Sequence, residues 1–274
     1  MSRLAIFSDI HSNIFALEAA FKALLQERVD GVAFAGDIVG YGSHPKQCLD
    51  KVRDSGAPCV MGNHDFYVAA LRDRAEALAE DPEVRANPVW AGVLHSIRET
   101  TPEDRDWLAG LPTMLELPGA LLCHAALHDV DNWPYLSGSD EAEPTLKVLQ
   151  EMGFSLGFFG HTHQVRVFFE GKTHEPPRLT GEGRIYVPEG ACCAMTVGSL
   201  GQPREADRRS SWVIWDSAKR VIEIHRTAYD VESAVAAVRA AGLPEHSAAR
   251  LMSPAGWGPE DDSPAGQHVA GETE

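Results

Sequence analysis

The sequence predicts an α/β fold in which two sheets face each other with helices on the outside. Over the first sixty residues, short apolar runs alternate with longer amphipathic ones, the mark of βαβ units. After residue 113, strand-like runs follow one another across short turns containing Gly, Ser or Asp, which suggests antiparallel pairs. Hydrophobic residues make up 44% and charged residues 23% of the 274, with both signs interspersed, as in a chain that packs a core.

Taken in order, Leu4 to Ser8 and Val32 to Ala35 are short and β-rich, and Cys59 to Met61 adds a third such run. Ile14 to Arg28 and Pro45 to Asp54 carry helical spacing, so the first half is expected to build a largely parallel first sheet. Residues 66–112 are rich in Ala, Leu, Glu and Arg and are broken by Pro82, Pro88, Pro102 and Pro112. They predict several short helices, an insertion that either caps a site or packs on the body. Strands are expected again at Met114–Leu117, Ala120–Cys123, Leu156–Phe159, Val165–Phe169, Arg184–Val187, Ser211–Trp215 and Val221–Arg226, pairing into a second sheet. A helix from Asp230 to about Ala241 and a shorter one ending near Leu251 complete one domain over residues 1–252. The stretch Ser253 to Glu274 is rich in Gly, Pro, Ser and acids, lacks Lys and Arg, and is expected to be a disordered acidic tail.

A net charge of -16 argues against a long nucleic acid as partner, because phosphate backbones are gripped by clustered Lys and Arg. A small anionic substrate remains compatible if bound divalent cations supply local positive charge. The five cysteines form no CxxC pair and fit reduced, buried thiols. With neither a signal-peptide pattern after Met1 nor a run long enough to span a membrane, a cytoplasmic location is expected. A homo-oligomer stays open.

Five short segments concentrate metal-ligand residue types, each after a strand-like run: Asp9-Ile10-His11, Gly36-Asp37, Gly62-Asn63-His64-Asp65, Cys123-His124 and Gly160-His161-Thr162-His163. Loops at the carboxyl ends of strands converge in open α/β sheets, so distant segments can meet. Asp9 and His11, like His161 and His163, are two apart, and in an extended chain that spacing sends both side chains to one side. Carboxylate, imidazole and one amide, without thiolate, suit manganese, iron or zinc rather than a cysteine-bound structural zinc. Seven ligand side chains, with carboxylates able to bridge, are enough for two ions: Asp9, His11, Asp37, Asn63, His124, His161 and His163.

With these segments the chain resembles the calcineurin-like metallophosphoesterase superfamily, whose motifs read D-x-H, G-D, G-N-H-[DE], H and G-H-x-H in the same order, over roughly residues 3–227. The resemblance implies a four-layer αββα sandwich. It assigns Asp9, His11 and His163 to one divalent ion, Asn63, His124 and His161 to the other, and Asp37 as the bridge. It also implies that His64 is the catalytic histidine, oriented by Asp65. The activity implied is hydrolysis of a phosphate ester by a hydroxide bridging the two ions, with His64 protonating the leaving oxygen or stabilising its charge.

Protein Ser/Thr phosphatases and symmetrical diadenosine tetraphosphatases of the superfamily carry a Val-Asp-Arg-Gly type segment after the bridging aspartate. Here Ile38-Val39-Gly40-Tyr41-Gly42 follows Asp37, without that arginine, and Asp65 stands where those branches usually have glutamate. Both departures point to the bacterial and archaeal phosphodiesterase group related to diadenosine tetraphosphatase. The segment Gly198-Ser199-Leu200-Gly201-Gln202-Pro203-Arg204 is similar to that group's Asn-Pro-Gly-Ser-Val-Gly-Gln-Pro-Arg, with Thr196-Val197 in place of Asn-Pro. Arg204 is a candidate to bind substrate phosphate, or else a surface ion-pair residue. Trp133-Pro134-Tyr135 could stack on a base or pack in the core, and His44 and His128 lie on loops where they could touch substrate. The expected substrate is a small phosphodiester or phosphoanhydride, a nucleotide in particular. The alternatives are a protein phosphatase or a non-catalytic scaffold such as the retromer subunit of this fold.

Overall fold

Strand β1 (Arg3–Phe7) pairs in parallel with β2 (Gly31–Phe34), and between them runs α1 (Ile14–Leu24). The helix starts where it does because the Asn13 side chain accepts from the Ala16 N–H, satisfying one of the orphan donors of its first turn. Helix α2 (Pro45–Asp54) opens with Pro at a position where no backbone donor is needed. After it the chain returns to the sheet only as a single parallel bridge from Cys59 to Phe34, so the third expected strand is reduced to one pairing. These coordinates come from a computed structural model that describes residues 2–171, 179 and 181–253. The expected acidic tail beyond Ser253 lies outside the described residues.

The segment rich in Pro and Ala folds as α3 (Asn63–Ala70), α4 (Ala75–Glu80), α5 (Pro82–Ala86), α6 (Pro88–Glu99) and α7 (Pro102–Ala109). Each of the last three begins with its proline behind a side-chain cap, from Asp81, Asn87 and Thr101 respectively. Trp90, Val93, Ile97 and Leu108 are buried in the same cluster as Phe7, Leu17 and Phe34, so these helices form part of the body's outer layer.

The second sheet comprises β3 (Met114–Leu117), β4 (Ala120–Cys123), β5 (Leu156–Phe159), β6 (Val165–Phe169) and β8 (Cys193–Val197). Its order is β3-β4-β5-β8-β6. Strands β7 (Gly183–Tyr186), β9 (Ser210–Asp216) and β10 (Val221–Thr227) join the first sheet, in the order β2-β1-β9-β10-β7.

Both five-stranded sheets are mixed, which corrects the expected division of strands. The first sheet keeps one parallel strand pair, because β9 inserts antiparallel beside β1. The centre of the second sheet, β4-β5-β8, is parallel. The reason is burial. Every residue of β9 is buried, with Trp212 and Ile214 facing the helices and Val213 and Trp215 facing the other sheet. A strand buried on both faces belongs in a sheet centre.

Ile6, Ala33, Phe158, Met195 and Val213 form the core between the sheets, while Leu121, Phe159 and Ala194 meet α8 (Ser139–Glu151) on the far side. The layers are therefore α, β, β, α. Sequence reasoning passed over β8 and α8. The Cys193-Ala194 start of β8 lacks the bulky alternation of a half-buried strand, and Pro144 interrupts α8 although Ala142, Leu146 and Leu149 keep helical spacing. Helices α9 (Val231–Ala240) and α10 (Glu245–Met252) close the described chain and pack on each other.

Candidate metal centre

The loops after β1, β2, β4, β5 and β8 meet at one end of the sandwich. They are tied directly: the Asp9 N–H donates to Gly36 O (3.1 Å), His11 N–H to Asp37 O (3.0 Å), and Gly201 N–H to Asp9 O (2.9 Å). Asp9, His11, Asp37, His161 and His163 all have positive φ, between 46° and 66°. The expected extended spacing is thus corrected to left-handed turns, which bring the side chains together by a sharper route. Each such residue costs on the order of 1–3 kcal/mol, strain that the surrounding bonds must hold. Gly62 matters for closeness: a Cβ there would lie 2.1 Å from Asp37 Oδ1.

All seven expected ligands are buried, and all but Asn63 fall into overlapping groups. Asp9, His11 and His163 form one, and Asp37, His124 and His161 another, with Asp37 also grouped with His11 and His64. The Asp37 Oδ2 atom lies 3.5 Å from His11 Nε2 and 3.3 Å from His124 Nε2. His163 Nε2 is 3.3 Å from Asp9 Oδ1, and His124 Nε2 is 3.1 Å from Asn63 Oδ1.

The donor chemistry fits cations. His11 Nδ1 faces Val39 O (3.1 Å), His124 Nδ1 faces Ala35 O (2.6 Å) and His163 Nδ1 faces Gln202 O (2.7 Å). A carbonyl only accepts, so each Nδ1 carries the proton and each Nε2 of a neutral ring presents a lone pair. Yet His11 Nε2 and His163 Nε2 are 3.0 Å apart. Lone pairs pointed at lone pairs repel unless a cation sits among them.

The titration behaviour agrees. Burial, reinforced by neighbouring imidazoles, holds His11 and His161 well below the usual histidine range, so both stay neutral. Burial pushes His124 down as well, but the Asp37 carboxylate outweighs it and raises His124 to about 9. Burial also raises Asp9.

His64 sits in the first turn of α3, its N–H donating to Asp37 Oδ1 (2.8 Å) and its ring packed between His11 and Tyr41, at 4.8 and 4.6 Å between centroids. Asp65 accepts from Ile38 N–H (3.0 Å) and Val39 N–H (3.2 Å) with one oxygen and Gly62 N–H (3.1 Å) with the other. These bonds lock the Asp37 loop onto the start of α3, and burial with the Asp37 charge raises Asp65 to about 7.

Arg204 is buried, which removes the surface ion-pair alternative, and its Nη2 donates to Gln202 Oε1 (3.1 Å). Tyr135 stacks on His161 with centroids 4.0 Å apart, and Trp133 meets His124 edge-on at 5.8 Å. Both aromatics are half-buried at the rim, and the exposed Phe66 lies 6.4 Å from Trp133. His44 and His128 are not drawn into the ligand groups and instead bond to Ser43 and Thr145. Tyr41, Phe66, Gln202 and Arg250 escaped sequence reasoning. Tyr41, flanked by Gly40 and Gly42 just after Asp37, and Gln202, inside the segment that ends at Arg204, carried a signal.

The family model for calcineurin-like phosphoesterases matches residues 2–165. An uncharacterised protein of Methanocaldococcus jannaschii is 31% identical over 256 residues, covering 92% of this chain and 98% of that one. The symmetrical bis(5'-nucleosyl)-tetraphosphatase of Vibrio cholerae is 26% identical over 162 residues, spanning 55% of this chain and 53% of that enzyme. Among solved structures, a metallophosphoesterase from Sphaerobacter thermophilus superposes with a TM-score of 0.79 at 27% identity, covering 92% of this chain and 99% of that one. A hypothetical protein from Pyrococcus horikoshii shares the fold at a TM-score of 0.71 and 16% identity, over 93% of this chain and 99% of that one. No helix among the described residues is long and apolar enough to cross a membrane. The ligand order, the two mixed sheets and the matched span agree: this chain belongs to the calcineurin-like phosphoesterase family.

Proposed function

We propose that the protein is a phosphoric ester hydrolase with two divalent ions that cleaves a small phosphodiester or phosphoanhydride, with nucleotides as the substrate class. The observation that supports this most is the position of Asp37 between two ligand groups. Its Oδ2 lies within 3.5 Å of His11 Nε2 and 3.3 Å of His124 Nε2. Asp9, His11 and His163 would hold one ion, Asn63, His124 and His161 the other, and Asp37 both. Ions held in this way acidify water and clamp phosphoryl oxygens during in-line displacement.

The chain's own groups do the rest. His64 stands beside Asp37 and His11 and is the group that protonates the leaving oxygen or stabilises its charge, while Asp65 acts as a positioning residue through the backbone N–H groups of Ile38, Val39 and Gly62. Arg204 supplies positive charge on the Asp9 side and contacts a substrate phosphoryl oxygen. The rim formed by Phe66, Trp133 and Tyr135 offers flat apolar surface near His124 and His161, which suits a nucleobase or other aryl group. Similarity to the Vibrio cholerae tetraphosphatase supports a nucleotide.

The test is turnover of bis-p-nitrophenyl phosphate, p-nitrophenyl phosphate and diadenosine tetraphosphate by protein stripped of metal and reloaded with Mn²⁺, Fe²⁺, Zn²⁺ or Mg²⁺. Metal-dependent turnover that is lost in Asp37→Asn is expected. Absence of turnover with every metal and every ester would overturn the proposal.

A further inference from the structure

We propose that Tyr135 is a positioning residue for His161, and that its stacked ring, in place of a hydrogen bond, sets how tightly the ion between Asn63, His124 and His161 is held. This rests on the two-ion reading above and deepens it.

The four candidate histidine ligands are not held alike. His11, His124 and His163 each give an Nδ1 proton to a main-chain carbonyl, those of Val39 (3.1 Å), Ala35 (2.6 Å) and Gln202 (2.7 Å). A ligating histidine is normally turned towards its ion by such a bond on the far nitrogen, and losing that bond weakens the metal. The ring of His161 makes no hydrogen bond of this kind among the described residues. Its main-chain N–H is fixed by both carboxylate oxygens of Asp9, at 3.1 and 3.2 Å, which places the backbone and leaves the rotation of the side chain open. At 7% exposure His161 is also the least buried of the four.

Aromatic contact holds the ring instead. Tyr135 lies flat on His161, with centroids 4.0 Å apart and planes 20° apart, and His124 meets it edge-on at 5.1 Å. The imidazole cannot tip without driving into the phenol, so the plane in which its nitrogens point is set. An imidazole that shares a lone pair with a cation becomes electron-poor, and the negative face of a phenol then attracts it more strongly. The stack therefore favours the loaded site over the empty one.

The loop that carries Tyr135 leaves β4 at His124 and folds back over it. Ala126 N–H donates to Pro134 O at 3.1 Å, and the guanidinium of Arg166, on β6, donates to Ser137 O. Between these ties Trp133 has φ 51°, unfavourable for a bulky residue and more so before proline, and its ring stands edge-on to His124 at 5.8 Å. Such strain persists only where the surroundings over-determine it. One loop thus braces both histidines of the same ion.

The test is calorimetric titration of the full chain, stripped of metal, with Mn²⁺. The unaltered chain is expected to take up two ions. Tyr135→Leu should weaken one of them by about 10–100-fold, the range for losing a group that orients a metal-bound histidine, and leave the other within about threefold. Tyr135→Phe, which keeps the stacking face and drops the hydroxyl, should bind both ions as the unaltered chain does. A merely structural role for the ring would weaken both ions alike. In an anomalous difference map of Tyr135→Leu at limiting Mn²⁺, the peak that fades should be the one flanked by Asn63, His124 and His161. Should the leucine variant fail to fold, Tyr135→Met carries the test, with the same selective loss expected. Two unchanged affinities in the folded leucine or methionine variant, an equal loss at both sites, or a fading peak beside Asp9, His11 and His163 would overturn the assignment. Binding is read without turnover, so a chain that behaves as expected but hydrolyses no ester sinks the enzymatic proposal alone. Turnover with both ions indifferent to Tyr135→Leu sinks the role of Tyr135 alone, and uptake of a single ion by the unaltered chain sinks both.

Discussion

Replacing Gly62 with Ala isolates the closeness of the Asp37 loop to α3 from every other feature of the site. Gly62 has φ -98° and ψ 170°, which alanine adopts freely, so the substitution adds no backbone strain. The new Cβ, however, would lie 2.1 Å from Asp37 Oδ1 and 2.3 Å from Asp37 N. To restore a tolerable contact of 3.0 Å, the carboxylate or the helix start must move by about 0.9 Å, the difference between the two distances. Neither yields cheaply. Asp37 Oδ1 is held by the His64 N–H at 2.8 Å, and Gly62 N–H by Asp65 Oδ2 at 3.1 Å. Overpacking of this kind costs about 1–3 kcal/mol in stability. A shift of about 1 Å in a bridging carboxylate costs activity on the order of 10²-fold. The assay is metal content per chain, melting temperature and kcat/KM on the preferred ester, measured on the same preparation. A Gly62→Ala protein that keeps two ions and activity within about threefold would refute the idea that this contact sets the position of the bridge.

Other consequences follow from individual groups. His64→Ala should lose kcat by about 10²–10⁴-fold, the range for a general acid, while retaining bound metal, because other side chains complete the ligand groups; loss of metal together with activity would make His64 a ligand instead. Asp65→Ala leaves the buried N–H groups of Ile38, Val39 and Gly62 without their acceptor, and at about 1–3 kcal/mol each it should destabilise the protein by at least about 3 kcal/mol in chemical denaturation. The metal-free protein should also lose stability as pH rises. His124 has its folded pKa raised from 6.5 to about 9, so the stability it contributes is fully present below pH 6.5 and is lost as pH rises through about 9. At about 1.4 kcal/mol per pKa unit the loss comes to about 3.5 kcal/mol, several degrees of melting temperature. Metal-loaded protein, in which His124 cannot hold that proton, should not show the decline; parallel pH profiles for the two forms would contradict this.

The candidate ligands stood out in the sequence because the chemistry leaves few choices. Carboxylate, amide and imidazole side chains serve hard or borderline divalent ions, and the recurrence of Asp, Asn and His after apolar runs marks strand ends. Asp9, His11, Asp37, Asn63, His124, His161 and His163 needed no long-range information to be singled out as candidates. Sheet membership did need it. The β9–β10 hairpin follows β1 by some two hundred residues, and nothing local in Ser211 to Trp215 says that it pairs beside Arg3 to Phe7 rather than beside its nearer neighbours. Strand β8 was hidden by small residues at its start, and α8 by Pro144. Phe66 and Arg250 were equally silent. Phe66 reads as a helix residue, and Arg250 as one charge on an amphipathic helix. Only the packing of α10 against the body brings that charge to Gln202. Tyr41 owes its place to a positive φ of 44° and to Gly92, whose missing side chain lets α6 approach the Tyr41 backbone.

The central claim is that Asp37 joins two cation sites, and the most direct measurement is an anomalous difference map from crystals of the Mn²⁺-loaded protein. Two peaks are predicted about 3.5–4 Å apart, the spacing of two-metal hydrolase centres. One should be flanked by Asp9, His11 and His163, the other by Asn63, His124 and His161, with Asp37 Oδ2 between them. A single peak, or peaks away from these side chains, would contradict the account.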